Sequence, residues 1–537
     1  MITRDLVLVL VSLGFSAVHP LAATLDETRV QAEKGNAAAQ LELGTLYKDG
    51  TRLPQDLTAA VSWWRKAAEQ GNAEAQSVLG LAYFQGSGVA KDDVEAARWY
   101  RKAASQGHAR AQFNLGVCYR DGLGMPKNAA ESMKLFRQAA DQGFAEAQFN
   151  VGMLYHNGTG VTRNSVEAEK WFRRAASQGI AEAQFSLAVC YTLGTGVPKN
   201  AGEAVHWLRK AAEQDLAKAQ AHLGFCYSLG TGVAKDETEA VKWTLKAANR
   251  GVASAQCKIG ECYSQGAGET KDAVEAVKWF YKAADQGHEM AQFHLAECYA
   301  EGKGVTKDDA QEVKWLRLAA EQGLARAQSN LGDCYRDGKG VTQDVTQALS
   351  LYRHAANQGD AYGQMDLAFC YHKGTGVPQD DSQALNWWRK AAAQKNATAQ
   401  FNLGLCYSNG DGVAIDDAEA VNWYRKAAEQ GHAQAQFNLG RRYRDGETLP
   451  QNAAEAVKWY RKAAEQGHAE AQFSLSFQYE KGEGVEKDLV QAWMWIHLAA
   501  IQGNEVADKH QATLELGMTP AQIKKAEALE KAWKQKP

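Results

Sequence analysis

The feature that most constrains this chain is a period. Gln recurs at 40, 76, 112, 148, 184, 220, 256, 292, 328, 364, 400, 436 and 472, always 36 residues apart and without one insertion. Ala precedes it in every copy except one, where Gly363 stands. A Tyr follows seven residues after each Gln, from Tyr47 to Tyr479, and an Ala-Ala pair follows at 27 and 28 residues, from Ala67-Ala68 to Ala499-Ala500. A chain of 537 residues would otherwise be expected to divide into several globular domains. A strict short repeat predicts instead a stack of equivalent supersecondary units, each stabilised mainly by its neighbours.

The spacing inside a copy says what the unit is. In the second copy Ala75, Leu79, Gly80 and Tyr83 make one helical stripe. Gly86-Ser87-Gly88-Val89 forms a loop, and Ala96, Trp99, Tyr100, Ala103 and Ala104 make a second stripe, closed by Gly107 at a helix C-terminus. The second helix opens on Asp92 with Glu95 three residues on, and this Asp/Asn-x-x-Glu/Gln pairing recurs in twelve copies, from Asp92/Glu95 to Asp488/Gln491. It predicts a reciprocal capping box, so these acids are helix starts rather than catalytic carboxylates. Small residues let the helices approach, and Trp at 63, 99, 171, 207, 243, 279, 315, 387, 423, 459 and 495 fills the space between them. The prediction is an all-α fold, an αα-superhelix or solenoid of thirteen helix-turn-helix repeats.

These residues resemble the Sel-one-like repeat (SLR) family, a relative of the tetratricopeptide repeat. The resemblance rests on Ala-x-Ala-Gln-x-x-Leu-Gly, as at Ala109 to Gly116, and on Trp-x-Arg-Lys-Ala-Ala-Glu-Gln-Gly, as at Trp423 to Gly431. It implies a right-handed superhelix serving as an adaptor for macromolecular complexes, commonly secreted or periplasmic in bacteria.

The expected organisation is a signal peptide at 1–23, a half-repeat at 24–36, thirteen repeats over 37–503 and C-terminal capping helices at 504–537. Arg4 precedes an apolar run from Leu6 to Val18, too short to span a bilayer but suited to a secretory signal, with Ala22 and Ala23 at a cleavage site. An exported, periplasmic or secreted protein follows, without an integral membrane segment in the mature chain. After Gly503 the pattern decays, and Thr519, Pro520 and Gln522 mark the start of a last helix running to about Trp533. A net charge of −3 with 23% charged residues argues against a nucleic-acid partner.

Residues that suggest chemistry have structural readings. Eight of nine cysteines sit six residues after the Gln: Cys118, Cys190, Cys226, Cys262, Cys298, Cys334, Cys370 and Cys406. Neighbouring units stack roughly 10 Å apart, beyond the Cα separation of about 7 Å that a disulfide spans. These are expected to be free core thiols, with Cys257 exposed on a first helix. The resemblance would suggest an intra-repeat bridge, but that feature needs two cysteines per unit and this chain has one. His108, His288, His432 and His468 share a position that other copies fill with Phe144, Ile180 or Leu216, so it reads as packing rather than metal binding. No Ser is followed three residues later by Lys, and no Gly-x-Ser-x-Gly occurs. The Gly-x-Gly loops lack the preceding strand of a phosphate cradle. No enzyme activity, metal or cofactor is expected.

Binding must then use the variable positions. The residue five after each Gln is expected on the concave face: Thr45, Leu81, Val117, Met153, Val189, Phe225, Glu261, Glu297, Asp333, Phe369, Leu405, Arg441 and Phe477. From these the candidate contacts are Val117, Met153, Val189, Phe225, Glu261, Glu297, Asp333, Phe369 and Arg441. The full series forms an apolar strip over 81 to 225 and an acidic patch over 261 to 333, which reads equally as a solvated face; beside it stand Phe113, Phe149, Phe185, Phe293, Phe401, Phe437 and Phe473, some of which read as intra-repeat core. Such a groove suits an extended or helical peptide with a basic segment. The expected function is a monomeric, non-enzymatic scaffold for a protein or peptide. The alternative, by analogy with cysteine-rich relatives described as penicillin-binding or β-lactamase proteins, is binding of cell-wall fragments or β-lactams.

Overall fold

The computed structural model describes residues 24–267 and 270–534, so the expected signal peptide lies outside the described residues. Among the described residues are twenty-nine helices, numbered in chain order from α1 (Leu25–Glu33) to α29 (Pro520–Lys534), and no strand. The chain divides into two compact units, 1–271 and 272–537. In the first, the helices from α1 to α14 (Ala253–Gln265) pack in chain order. In the second, those from α15 (Ala273–Ala284) to α29 do the same. Each unit is an αα solenoid of paired helices. No described helix is long and apolar enough to cross a membrane.

The second repeat shows how the sequence builds a pair. Its first helix, α4 (Ala73–Gln85), starts where the Asn72 side chain accepts the Ala75 amide at 2.9 Å, and it stops at Gly86, which takes the left-handed conformation (φ 68°). Its second helix, α5 (Asp93–Ser105), starts at Asp92, whose carboxylate accepts the Val94 and Glu95 amides at 2.9 and 3.0 Å. The expected capping box is half present. The Asp92 amide donates to the carbonyl of Tyr83 at 3.0 Å, so no orphan donor remains for Glu95 to satisfy. Glu95 turns outward instead and pairs with Arg98 at 3.1 Å. The same exchange occurs at Asn128, Asn164, Asn452 and other second-helix starts. Complete reciprocal pairs occur outside the thirteen repeats, at Thr24/Glu27 and Thr519/Gln522.

The second stripe is buried as the spacing predicts, with Ala96, Trp99, Tyr100, Ala103 and Ala104 all inside. The repeated Gln holds the layers together. Gln76 is buried; it donates to the carbonyl of Ala68, in the preceding repeat's last turn, at 3.0 Å and accepts from Gln106 at 2.8 Å. A buried amide with both ends satisfied contributes about 1 kcal/mol per bond and costs more than that when one partner is removed. Gly88 in the loop has φ 70°, and a Cβ there would collide with the backbone of Leu57, at the start of the preceding repeat's second helix. The loop glycines are therefore structural. At the chain's end, Ile523, Leu529 and Trp533 of α29 pack on a core containing Trp493, Met494 and Trp495, and this closes the last apolar face.

Candidate binding face

Most of the fixed positions are consumed by the scaffold. Within Trp-x-Arg-Lys, the Lys ammonium sits over the Trp ring, as with Lys102 on Trp99 at 3.9 Å and Lys426 on Trp423 at 3.9 Å. The Arg reaches the invariant Tyr of the next repeat, as with Arg65 to the Tyr83 hydroxyl at 2.7 Å and Arg209 to that of Tyr227 at 2.7 Å.

All nine cysteines are free thiols. Burial pushes Cys118 and Cys406 up to about 12, far from the range of a nucleophilic thiolate. Cys257, expected to be exposed, is 2% exposed, because the residue after the Gln points into the repeat core. The same inward direction decides the Phe ring. Phe113, Phe185, Phe293 and Phe437 are buried and so belong to the core rather than to a groove. Phe113 lies 5.5 Å from the ring of Phe136, and Phe437 stacks on His468 at 4.9 Å.

The shared histidines have a role that the sequence reading missed. His108, His288, His432 and His468 cap the following first helix, each accepting through Nδ1 from the amide three residues on, for example Ala111 at 3.2 Å and Ala471 at 3.1 Å. Burial lowers His432 and His468 below the usual imidazole value, which keeps the accepting neutral form. Asn36, Asn72 and Asn396 at the same position were the available signal.

The series five residues after each Gln faces outward unevenly. Met153 is 7% exposed and packs with Phe172 and Leu187, so it is a core residue and not the expected surface contact. Val117 and Val189 are half-buried, whereas Phe225 is 63% exposed. Glu261, on α14, pairs with Lys258 at 2.8 Å. In the second unit Glu297 is exposed and meets His294 at 3.0 Å, Phe369 is 45% exposed, and Arg441 is exposed. Asp333 is half-exposed and accepts from Arg336 Nη1 at 2.7 Å and from the Tyr352 hydroxyl at 2.8 Å.

Around Asp333 the pattern breaks most. The helices there are α18 (Ala325–Asp337), α19 (Val345–Asn357) and α20 (Ala361–Lys373). Gly363 stands where every other copy has Ala, and a Cβ there would lie 2.6 Å from the Ala355 Cβ and 2.8 Å from Ser329 Oγ. Asp360 caps α20 at the Gly363 amide (2.8 Å), accepts from Ser329 (3.1 Å) and pairs with Arg326 (3.3 Å). Two residues after Gln364 stands Asp366, 8% exposed. Burial, then the charge of Asp333, pushes its carboxyl up to about 8. Arg336 spends Nε and Nη2 on Asp337, at 2.8 and 2.9 Å, and does not bond Asp366.

The matching place in the first unit is closed. Its helices are α6 (Ala109–Asp121), α7 (Ala129–Asp141) and α8 (Ala145–Asn157). Arg120 holds Asp121 through two bonds of 2.7 Å and donates its third nitrogen to Asn150 at 3.0 Å. Val117, Phe136 and Asn150 stand there in place of Asp333, Tyr352 and Asp366.

The Sel1 repeat model matches thirteen consecutive segments, from 37–72 to 469–504. Among solved structures the chain is similar to c5321, a protective antigen present in uropathogenic Escherichia coli strains displaying an SLR fold. The identity is 37% and the TM-score 0.70, over 81% of this chain and 94% of that one. It is also similar to a Sel1 repeat protein from Oxalobacter formigenes, at 34% identity and a TM-score of 0.45, over 60% of this chain and 91% of that one. Comparison with curated proteins gives no match.

Proposed function

The chain belongs to the Sel1 repeat family, and on that premise we propose that it is a non-catalytic, monomeric scaffold that binds a protein or peptide on the variable face of its first helices. The observation that carries this reading is the division of labour between positions. The fixed Gln, Tyr, Trp, Arg and Lys are tied to one another by hydrogen bonds and ring contacts, whereas Phe225, Glu297, Phe369 and Arg441 vary and face solvent. Binding on a repeat scaffold falls to such positions, since they can change without disturbing the stack.

We further propose export to the bacterial envelope or beyond, from the apolar run at Leu6 to Val18. The similar E. coli protein, being a protective antigen, supports that placement. Mass spectrometry of the mature N-terminus tests it, with Ala23 or Thr24 expected as the first residue. Crosslinking in the native envelope tests the binding reading. Partner-linked peptides should map to first helices, and links confined to second helices, or none to any protein, would contradict it.

A further inference from the structure

We infer that Asp333, Tyr352 and Asp366 form a subsite for the ammonium group of a lysine side chain on the bound partner, an inference that rests on the scaffold reading above. Asp366 is 8% exposed, and among the described residues it has no hydrogen-bond partner. Neither of its oxygens is fully enclosed, so this mostly buried carboxyl, with no protein donor, stays open to a ligand that approaches from solvent.

The local charges do not balance. Arg326 is taken by Asp360 (3.3 Å). Arg336 gives two nitrogens to Asp337 and its third to Asp333 Oδ1 (2.7 Å), the atom that also accepts from Tyr352 (2.8 Å). Asp333 Oδ2 and both oxygens of Asp366 are left without a donor among the described residues. The two carboxyls feel each other's charge, and their three open acceptors equal in number the three N–H donors that an ammonium carries on one atom. Asp333 is half-exposed, so the cluster opens on the first-helix face. Phe369, three residues along α20 from Asp366 and 45% exposed, offers an apolar wall for the methylene stem. Nothing in the scaffold demands the carboxyl, because Asn150 fills the equivalent place in the first unit.

Binding should be coupled to a proton. The groups facing Asp366 are Arg326, Asp333 and Arg336 from α18 and Tyr352 from α19, with Asp360 and Cys370 at its own helix. When the site is empty, burial and the acids outweigh the arginines and the carboxyl sits near 8. A cation needs the ionised form, so its arrival expels the proton, and affinity rises with pH until Asp366 is ionised on its own.

Hexalysine peptide is the probe, titrated calorimetrically into the full chain in two buffers of different ionisation enthalpy. Close to one proton should be released per peptide at pH 7, and affinity should rise roughly fiftyfold between pH 6 and 8. Asp366→Asn should fold with an equal or higher Tm, abolish the proton release and weaken binding at pH 8 by about tenfold or more. Asp333→Asn should weaken it as well. The inference is overturned if hexalysine does not bind, if Asp366→Asn binds it with the same affinity and proton release, or if calcium chloride alone releases the same proton and displaces the peptide. Envelope crosslinks on first helices together with any of those results would retain the scaffold and remove the lysine subsite; crosslinks confined to second helices would remove the scaffold reading itself.

Discussion

Repeats 3 and 9 end their first helices with the same five residues, Cys-Tyr-Arg-Asp-Gly, at 118–122 and 334–338, yet the two arginines serve different ends. Arg120 is almost enclosed and its three nitrogens close a circuit with Asp121 and Asn150. Arg336 is half-exposed, divides itself between Asp337 and Asp333, and leaves Asp366 unbonded. Three side chains outside the shared motif make the difference: Val117 against Asp333, Phe136 against Tyr352, Asn150 against Asp366. One backbone therefore presents a sealed joint in one place and an acidic opening in another. The difference between the two joints lies in the neighbours of the motif rather than in the motif.

The largest expected effect tests the open joint. Because the folded state raises the Asp366 carboxyl from 3.8 to about 8, it binds that proton more tightly than the unfolded chain does. The stability this group allows is full below about pH 4 and falls as pH rises to about 8. Relative to Asp366→Asn, the wild type should lose about 3 kcal/mol between pH 5 and 8, read from urea unfolding at each pH. Parallel curves would mean that Asp366 is ordinarily solvated and the two joints are alike.

Arg120→Ala should cost about 2 kcal/mol, since it strands Asn150 and Asp121 in a nearly enclosed site. Arg336→Ala, in the more exposed joint, should cost about half as much, and equal losses would erase the contrast. Gly363→Ala should destabilise by about 1–2 kcal/mol through its contacts with Ala355 and Ser329. The opposite exchange, Ala147→Gly in repeat 4, should cost about 1 kcal/mol through chain entropy. Smallest is Tyr352→Phe, which makes the open joint resemble the closed one and should cost about 0.5–1 kcal/mol by removing a bond to Asp333.

Much of this fold is legible in the sequence, because a strict period repeats every local signal thirteen times. The helices, the glycine loops, the small-residue packing and the free thiols all follow from spacing. Reciprocity does not. Whether Glu95 closes a capping box depends on where the Asp92 amide already donates, and that partner, the Tyr83 carbonyl, is fixed by the loop's path. The inward turn of Met153 was likewise hidden, since period alone does not separate a position facing its own repeat from one facing the groove, whereas a core place for some of the Phe, such as Phe113, was one of the two readings the sequence offered. Of the candidate contacts, Asp333 was visible as a break in the series, but Asp366 was not. It lies two residues after its Gln, at a position that carries polar residues in most copies and is buried in several, and only its carboxyl beside Asp333 sets it apart.

On the proposed reading, the variable first-helix face, and the open acidic joint above all, receives the partner while the closed joint only holds the stack. It is tested most directly by a photo-crosslinking residue placed at 369 in one variant and at 117 in another, both expressed in the native envelope. Position 369 should give a protein adduct whose linked peptide contains a lysine, and position 117 little or none. Equal adducts from the two positions, or none from 369, would contradict it.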